Sequence, residues 1–427
     1  MPDAKQPSAT IKRPRVLFIF LASFVTLIYG FYAAANIDLL WMNRHDTELL
    51  TATRQLPQAD FGLFWCAGNG LAEQAEHRFG VEFPEAFRNI CQTDILAANA
   101  PVFLAWPYPP TMGLLVTPFS FLPIKFGFWV WRAFCILAAA WVLRLAGLGW
   151  RVILLGLASP AAWHDLIGGQ DGTLSGGVLV AILLMASRRP VTAGGLAGLL
   201  TLKPHLGLPI LVAVLRSRAW RLALVAVAIA IGLVGLSLLF WGTEGWVWFF
   251  GIAQHDEWLT TNMPFKERFP AAGITIYHMA RSLGGSNAWA WRLQCVGAAM
   301  ALTVMWKLWR PGLLAEKPRM ICTVCLSILV LPHGFLYDLV GFSVAMALLM
   351  IEFEGWVCFA AALLWLWGGY TGTFAKSTGL LLFPLCAVAG ALLAWCVRDA
   401  PAWRQKNHPS RLDQPTFPDV SGYRPAQ

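Results

Sequence analysis

The sequence predicts an all-α protein that crosses a membrane many times. Hydrophobic residues make up 57% of the chain and charged residues only 13%, about half the charged fraction of an ordinary soluble domain. The 22 tryptophans and 27 phenylalanines supply side chains for aromatic belts at membrane interfaces. The apolar residues form long runs instead of the alternating segments of about ten residues that are typical of membrane β-barrels.

The charge pattern predicts the orientation of these helices. The net charge is +9, and the positive residues lie mainly in short loops between apolar runs, as the positive-inside rule predicts. The charge therefore indicates topology and not nucleic-acid binding. Residues 1–15 are polar and basic and are predicted to be a cytoplasmic tail. The apolar run 16–35 is long enough to span, and without an obvious cleavage site we expect an uncleaved first helix.

Residues 36–107 are predicted to form a large first extracytoplasmic loop. Segments 61–75 and 84–98 look like amphipathic helices that lie along the membrane surface. Cys66 and Cys91 lie in this loop and could pair there, but the sequence alone does not decide whether they do.

The prolines between residues 107 and 123 determine the predicted number of membrane crossings. The apolar run that follows Pro110 and ends at Pro123 is only about 13 residues long and is broken by prolines, so it is predicted to be re-entrant and not a full span. A full span there would place Arg189 and the arginines of 216–221 outside. The result is about twelve spans with both termini inside. The spans form a membrane domain of residues 16–397. The Pro-rich cytoplasmic tail, residues 398–427, is predicted to be disordered. The predicted crossings are 16–35, 125–145, 152–167, 173–187, 190–202, 206–215, 222–241, 289–309, 320–331, 339–351, 356–370 and 379–397.

With this topology the unusual polar residues all fall on the outer face. Ionisable residues at membrane depth are costly and are functional by default, so a set of them on one side predicts a single water-accessible cavity. The set is Asp60, Tyr108, His164, Asp165, Gln170, Asp171, Lys203, His205, Glu267, Arg268, His278, His333 and Asp338.

Asp60 and Lys203 are the strongest candidates, and each has a plainer explanation. Asp60 directly precedes an apolar-periodic run, where Asp is a favoured helix cap, but a carboxylate on the outer face just after the first span could also serve as a catalytic base. Lys203 could extend to the membrane interface. Its place at a helix break, before Pro204 and beside His205, favours phosphate binding, because open helix ends add further donors.

The other candidates carry less weight. Gln170 and Asp171 lie in a glycine-rich turn that could simply connect two helices. His333 could cap a helix end, and Arg268 could pair with Glu267 on a solvated loop. His164 and Asp165 are interpreted as ordinary polar residues at a helix end.

No cofactor or metal site is predicted. The histidines are isolated, and no metal, P-loop or dinucleotide-binding motif is present. Cys322 and Cys325 form a C-x-x-C inside an apolar helix without the second pair that a zinc site needs.

The ordered set of motifs over about residues 16–350 resembles glycosyltransferase family 87. The motifs are Asp60-Phe61, Tyr108-Pro109-Pro110 with Pro118, Pro123, Trp129 and Trp131, Gly169-Gln170, Ala193-Gly194-Gly195 through Lys203-Pro204, and Pro332-His333.

This resemblance implies a GT-C fold and a transferase that uses polyprenyl-phosphate-linked sugars outside the bacterial cytoplasmic membrane. It favours mannose as the sugar, with arabinose, galactose and glucose left open, and a glycolipid or cell-envelope glycan as acceptor. It assigns Asp60 as general base and Lys203, His333 and Gln170 to the donor side, to which we add His205, Arg268 and Tyr108. One departure concerns the donor contacts, because the family often carries Asn where this chain has Gly172.

Two other functions are compatible with a polytopic membrane protein. A transporter or flippase of lipid-linked sugars predicts matched halves with broken helices, and no convincing internal repeat is visible. A glycan polymerase or ligase tends to carry its main outer loop late in the chain, whereas here that loop follows the first span.

Overall fold

The computed structural model describes residue 28 and residues 59–77, 106–251 and 273–403. Within these ranges the chain is helical and contains no strand, only an isolated bridge between Gly273 and Phe335, so the predicted all-α class is confirmed. The α-helices whose bounds are defined are α1 (Ala59–His77), α2 (Pro110–Ser120), α3 (Ile124–Leu145), α4 (Trp150–Leu157), α5 (Pro160–Gly168), α6 (Gly172–Met185), α7 (Pro190–Leu199), α8 (Gly207–Ser217), α9 (Trp220–Trp241), α10 (Ile276–Ser282), α11 (Asn287–Leu308), α12 (Glu316–Val330), α13 (Val340–Glu352), α14 (Gly355–Thr378) and α15 (Phe383–Cys396). Residues 244–251 are helical as well.

Three helices among the described residues are long and apolar enough to cross a membrane, namely α3, α9 and α14. The first two coincide with the predicted crossings 125–145 and 222–241, whereas α14 continues to Thr378 instead of ending at 370. The apolar helices α6, α7, α8 and α15 are shorter. The total of about twelve crossings therefore stays a prediction.

Prolines shape the chain around the shorter helices. α2 begins at Pro110, contains Pro118 and has only 11 residues, consistent with the predicted re-entrant segment. The predicted crossing 152–167 is instead two helices, α4 and α5. Pro160 lacks the N–H that would continue α4, and Ser159 caps α5 by accepting from the N–H of Ala162 at 3.2 Å.

The helix break at Lys203 is confirmed. α7 ends at Leu199 and is followed by two 3₁₀ turns, Leu200–Leu202 and Pro204–Leu206, before α8 begins. Lys203 lies between these turns in a non-helical conformation, with φ −140° and ψ 73°.

The interior has an apolar centre and an aromatic side cluster. α6 and α13 are buried along almost their whole length, and they approach closely where Gly176 meets Gly341. On one side, Phe64 makes edge-on contacts with Tyr108 at 5.2 Å and with Trp131 at 5.5 Å between ring centroids. These contacts join α1, the segment before α2, and α3 around the site described below.

Several predictions lie outside the described residues. These are the tail 1–15, most of the first crossing, the surface helix at 84–98, Cys91, Glu267, Arg268 and the chain after residue 403. Residues 398–403, where the predicted tail begins, include a 3₁₀ turn, Pro401–Trp403. Trp403 is buried and contacts Phe353 at 5.0 Å between ring centroids.

Candidate active site

A buried lysine with two carboxylates forms the centre of the polar cluster. The Nζ of Lys203 lies 2.8 Å from Asp338 Oδ1 and 2.9 Å from Asp171 Oδ1, and each of the three side chains is only 4% exposed. Asp171 immediately precedes α6, and Asp338 lies in the 3₁₀ turn Leu336–Leu339 that leads into α13. Three elements far apart in sequence therefore meet at one ammonium group.

The carboxylates keep this ammonium charged. Burial by itself lowers the pKa of Lys203, but Asp171 and Asp338 outweigh that effect and raise the pKa well above its ordinary value. The Tyr337 ring adds a cation–π contact at 4.9 Å. The cluster contains one positive and two negative charges, so its net charge is negative. An incoming phosphate would therefore have to share the ammonium with two carboxylates that already contact it.

Asp165 fixes the turn that carries Gln170 and Asp171. Its Oδ1 accepts from the N–H of Gly172 at 2.8 Å and its Oδ2 from that of Thr173 at 2.7 Å. These bonds satisfy free donors at the N-terminus of α6. The sequence pattern predicts only an ordinary polar residue at a helix end for Asp165. A signal for its actual role is present, because this acidic residue lies seven positions before the first residue of α6, across a glycine-rich turn, where it can accept from free N–H groups of that helix.

The turn also depends on two glycines. Gly169 ends α5 in the left-handed region, at φ 71°, which disfavours residues with a Cβ atom. Gly172 lies against the main-chain carbonyl of Tyr337 with no room for a Cβ atom. The Asn that the family often carries at this position would require residues 336–339 to shift.

Tyr108 and Gln170 are joined directly. The Tyr108 hydroxyl donates to Gln170 Oε1 at 2.7 Å, and both side chains are buried. The indole N–H of Trp131 donates to the carbonyl of Gly169 at 2.8 Å. Two residues predicted from separate motifs are thus held against the same turn.

The start of α1 reaches this turn as well. Asp60 belongs to α1, but its side chain lies outside the described part of the structure. The next residue, Phe61, is buried and packs against Gly169 and the Phe128 ring. Asp60 is therefore one residue from the wall of the site. Cys66, in the same helix, is disulfide-bonded.

His205 lies near Lys203, and His333 lies near His205. The pKa of His205 falls to about 4 because the ring is buried and lies near the charged Lys203 and near His333, although Asp338 acts in the opposite direction. Its Nε2 is buried and has no hydrogen-bond partner. His333 is exposed and contacts the Trp291 ring at 5.8 Å. A neutral imidazole therefore lies beside the ammonium.

The other candidates have separate partners. The imidazole of His164 hydrogen-bonds the carbonyl of Gly369 at 2.8 Å, and that of His278 bonds the Thr275 hydroxyl at 2.7 Å. Cys322 and Cys325 are buried free thiols. Across the described ranges, no three His, Cys, Asp or Glu side chains are grouped so that they could hold a metal ion.

Comparison with known protein families identifies a match. A family model described as Glycosyltransferase family 87 matches residues 106–332, which is 227 of the 427 residues. The matched segment includes Tyr108, Gln170, Asp171, Lys203 and His205, and it ends one residue before His333. No curated protein and no solved structure matches the chain.

Proposed function

Since the chain belongs to glycosyltransferase family 87, we propose that it transfers a hexose from a polyprenyl-phosphate-linked donor to a glycolipid or cell-envelope glycan. Mannose is the favoured sugar, and the site faces outward from the bacterial cytoplasmic membrane. The proposed architecture is the GT-C fold with about twelve crossings. One observation carries the proposal: the family-matched segment brings Tyr108–Gln170 and Lys203–Asp171 to a single turn, against which the start of α1 packs.

Asp60 is the proposed general base. As the acceptor oxygen bonds to the anomeric carbon, Asp60 takes its proton, and the bond from that carbon to the phosphate oxygen breaks. The lipid phosphate departs with the electron pair, and the configuration inverts. A positioned base contributes about 10²–10⁴-fold to such a step. The position of Phe61 against Gly169 supports this role for its neighbour.

Lys203 is the proposed contact to the donor phosphate. An ammonium group has three N–H donors. One is used by Asp338 at 2.8 Å, and Asp171 forms an ion pair without a well-directed hydrogen bond. A phosphate oxygen can therefore join as a further acceptor without loss of the Asp338 bond, and positive charge beside the departing phosphate stabilises it.

The remaining candidates complete the donor side. His205, neutral beside the lysine, offers an unpartnered ring nitrogen. His333 is exposed and lies close enough to His205 to act on it electrostatically. Gln170 and Tyr108 present a coupled amide and hydroxyl. Arg268 lies outside the described residues and is retained from the sequence as a possible anion contact.

The test is sugar transfer by purified protein in detergent, with radiolabelled polyprenyl-phosphate sugars and a total lipid extract as acceptor. We expect transfer by the wild type and its loss, by about 10²-fold or more, in Asp60→Asn. The control is Asp399→Asn, which removes a carboxylate that is 74% exposed, and which should transfer normally.

Two results would count against the proposal. Undiminished transfer by Asp60→Asn, at wild-type protein abundance, would remove the base assignment and leave Asp60 as an acidic residue in the first turn of α1. Movement of lipid-linked sugars across liposome membranes, without transfer to any acceptor, would favour the flippase alternative.

A further inference from the structure

Arg132 is a buried guanidinium within the membrane-spanning helix α3. Its side chain is 6% exposed, and Nη1 is fully buried without a hydrogen-bond partner. No hydrogen bond or ion pair involves it among the described residues. Asp165 acts on it electrostatically, but that carboxylate is bound by the N–H groups of Gly172 and Thr173. An unpaired charge inside a span is costly and is functional by default.

Two aromatic rings hold the guanidinium at the edge of the protein. Its Cζ lies 5.0 Å from the centroid of Phe128 and 4.9 Å from that of Trp129. Phe128 is fully buried, whereas Trp129 is 50% exposed, so Arg132 lies at the boundary between the interior and the membrane-facing surface. The cation–π contacts do not use the N–H groups that lie in the plane of the guanidinium. The arrangement of these N–H groups matches the oxygens of a phosphate.

This boundary is next to the candidate active site. Phe128, one turn before Arg132, packs against Gly169, and Trp131 donates to the Gly169 carbonyl at 2.8 Å. Gln170 is the next residue of that turn. Arg132 therefore flanks, from the membrane side, the turn that carries the polar residues of the site.

The depth of Arg132 suits a lipid headgroup. It lies eight residues after Ile124, the first residue of α3, which is about 12 Å along the helix. Arginine side chains extend toward the interface and helical side chains lean toward the helix N-terminus, so the guanidinium lies nearer to the Ile124 end of α3 than its own Cα does, in the half of a hydrocarbon layer of about 30 Å that is closer to that end.

We propose that Arg132 binds the phosphate of a membrane lipid that reaches the site sideways from the bilayer. The polyprenyl phosphate carrier is one source of that group, and in that case the inference rests on the proposed function. An anionic phospholipid is the other source of the same chemistry. In both cases the phosphate supplies the charge partner that Arg132 does not have among the described residues.

The experiment measures lipid binding without sugar transfer. Purified full-length protein in detergent is titrated with polyprenyl phosphate lacking sugar, with phosphatidylglycerol and with zwitterionic phosphatidylcholine. Arg132→Gln, Arg132→Lys and a control, Arg151→Gln, are compared with wild type; Arg151 is exposed at the start of α4. Thermal unfolding is recorded for each protein with and without lipid.

We expect Arg132→Gln to weaken binding of an anionic lipid by about tenfold or more, with Arg132→Lys intermediate and Arg151→Gln unchanged. The lipid should raise the wild-type unfolding temperature and raise that of Arg132→Gln less. Without lipid, Arg132→Gln should unfold close to wild type, because it loses two cation–π contacts but no longer buries a charge without a hydrogen-bond or ion-pair partner among the described residues.

The titrations with polyprenyl phosphate and with phosphatidylglycerol distinguish the two possible lipids. A loss confined to polyprenyl phosphate identifies the carrier, and a loss confined to phosphatidylglycerol identifies the phospholipid. Equal binding of both anionic lipids by wild type and both Arg132 variants would overturn the inference, as would a lower unfolding temperature for both variants without lipid. Because no transfer is measured, failure of the proposed function would leave these results unaffected.

Discussion

Lys203 donates a 2.8 Å hydrogen bond to Asp338, 135 residues later in the chain. The bond joins the break between α7 and α8 to the turn that precedes α13. Asp338 is held in turn by its own segment, since its Oδ2 accepts from the N–H of Phe335 at 3.0 Å. With Asp171 at 2.9 Å on the same ammonium, one lysine connects three elements of the site.

Lys203→Met is expected to destabilise the protein strongly. Two buried carboxylates would lose their counter-charge, and breaking a buried ion pair by removing one partner costs about 3–5 kcal/mol. Thermal unfolding in detergent measures the effect, with Lys307→Met, at an exposed position, as the control. A wild-type unfolding temperature for Lys203→Met would mean that the carboxylates do not depend on the lysine.

Tyr108 and Gln170 are expected to be energetically coupled. A double-mutant cycle with Tyr108→Phe and Gln170→Leu should give a coupling free energy of about 0.5–1.5 kcal/mol in unfolding, as for a typical hydrogen bond. Each single change leaves a buried polar group with one partner fewer, whereas the double change removes both groups. Additive effects would indicate that the 2.7 Å contact contributes no net stability.

Local signals in the sequence predicted the parts of the site that depend on backbone chemistry. Pro204 after an apolar run located the break at Lys203, and the glycines around Gln170 located the turn. The ends of α3 and α9 followed from apolar length and flanking charge. In each case the determining residues are neighbours in the chain, so the sequence was sufficient.

Contacts between distant segments could not be predicted in the same way. Asp171 and Asp338 were placed on one face, but nothing local indicated that both would bind Lys203. Asp165 was undervalued, because its role depends on backbone N–H groups across a turn whose geometry requires Gly169 in the left-handed region. Arg132 has no hydrogen-bond or ion-pair partner within the described ranges, and this follows from three-dimensional packing and not from its position in an apolar run.

Gly172→Ala and Gly195→Ala form a matched pair. Gly172 faces the Tyr337 carbonyl with no room for a methyl group, whereas no atom lies within 4 Å of a Cβ added at Gly195. We expect Gly195→Ala to stabilise α7 by up to about 1 kcal/mol, and Gly172→Ala to lower both the unfolding temperature and sugar transfer. Equal tolerance of both changes would show that residues 336–339 move without cost.

Acid is expected to destabilise the protein partly through His278. Burial, with a smaller contribution from nearby His333, lowers the pKa of this imidazole to about 3 from an ordinary value of 6.5. Between these values the unfolded chain binds a proton that the folded protein does not. The free energy of unfolding therefore falls as the pH drops from about 6.5 toward 3, at a rate on the order of 1 kcal/mol per pH unit.

His278→Asn isolates this contribution. Asparagine can keep a hydrogen bond to the Thr275 hydroxyl, which now lies 2.7 Å from the imidazole, but it does not titrate. Unfolding measured from pH 8 to pH 4 should show a shallower loss of stability in the variant than in wild type. His205 has a lowered pKa as well and is present in both proteins, so it cancels in the difference. Parallel curves for the two proteins would mean that His278 takes up no proton on unfolding, and its buried neutral state would then be excluded as a source of acid sensitivity.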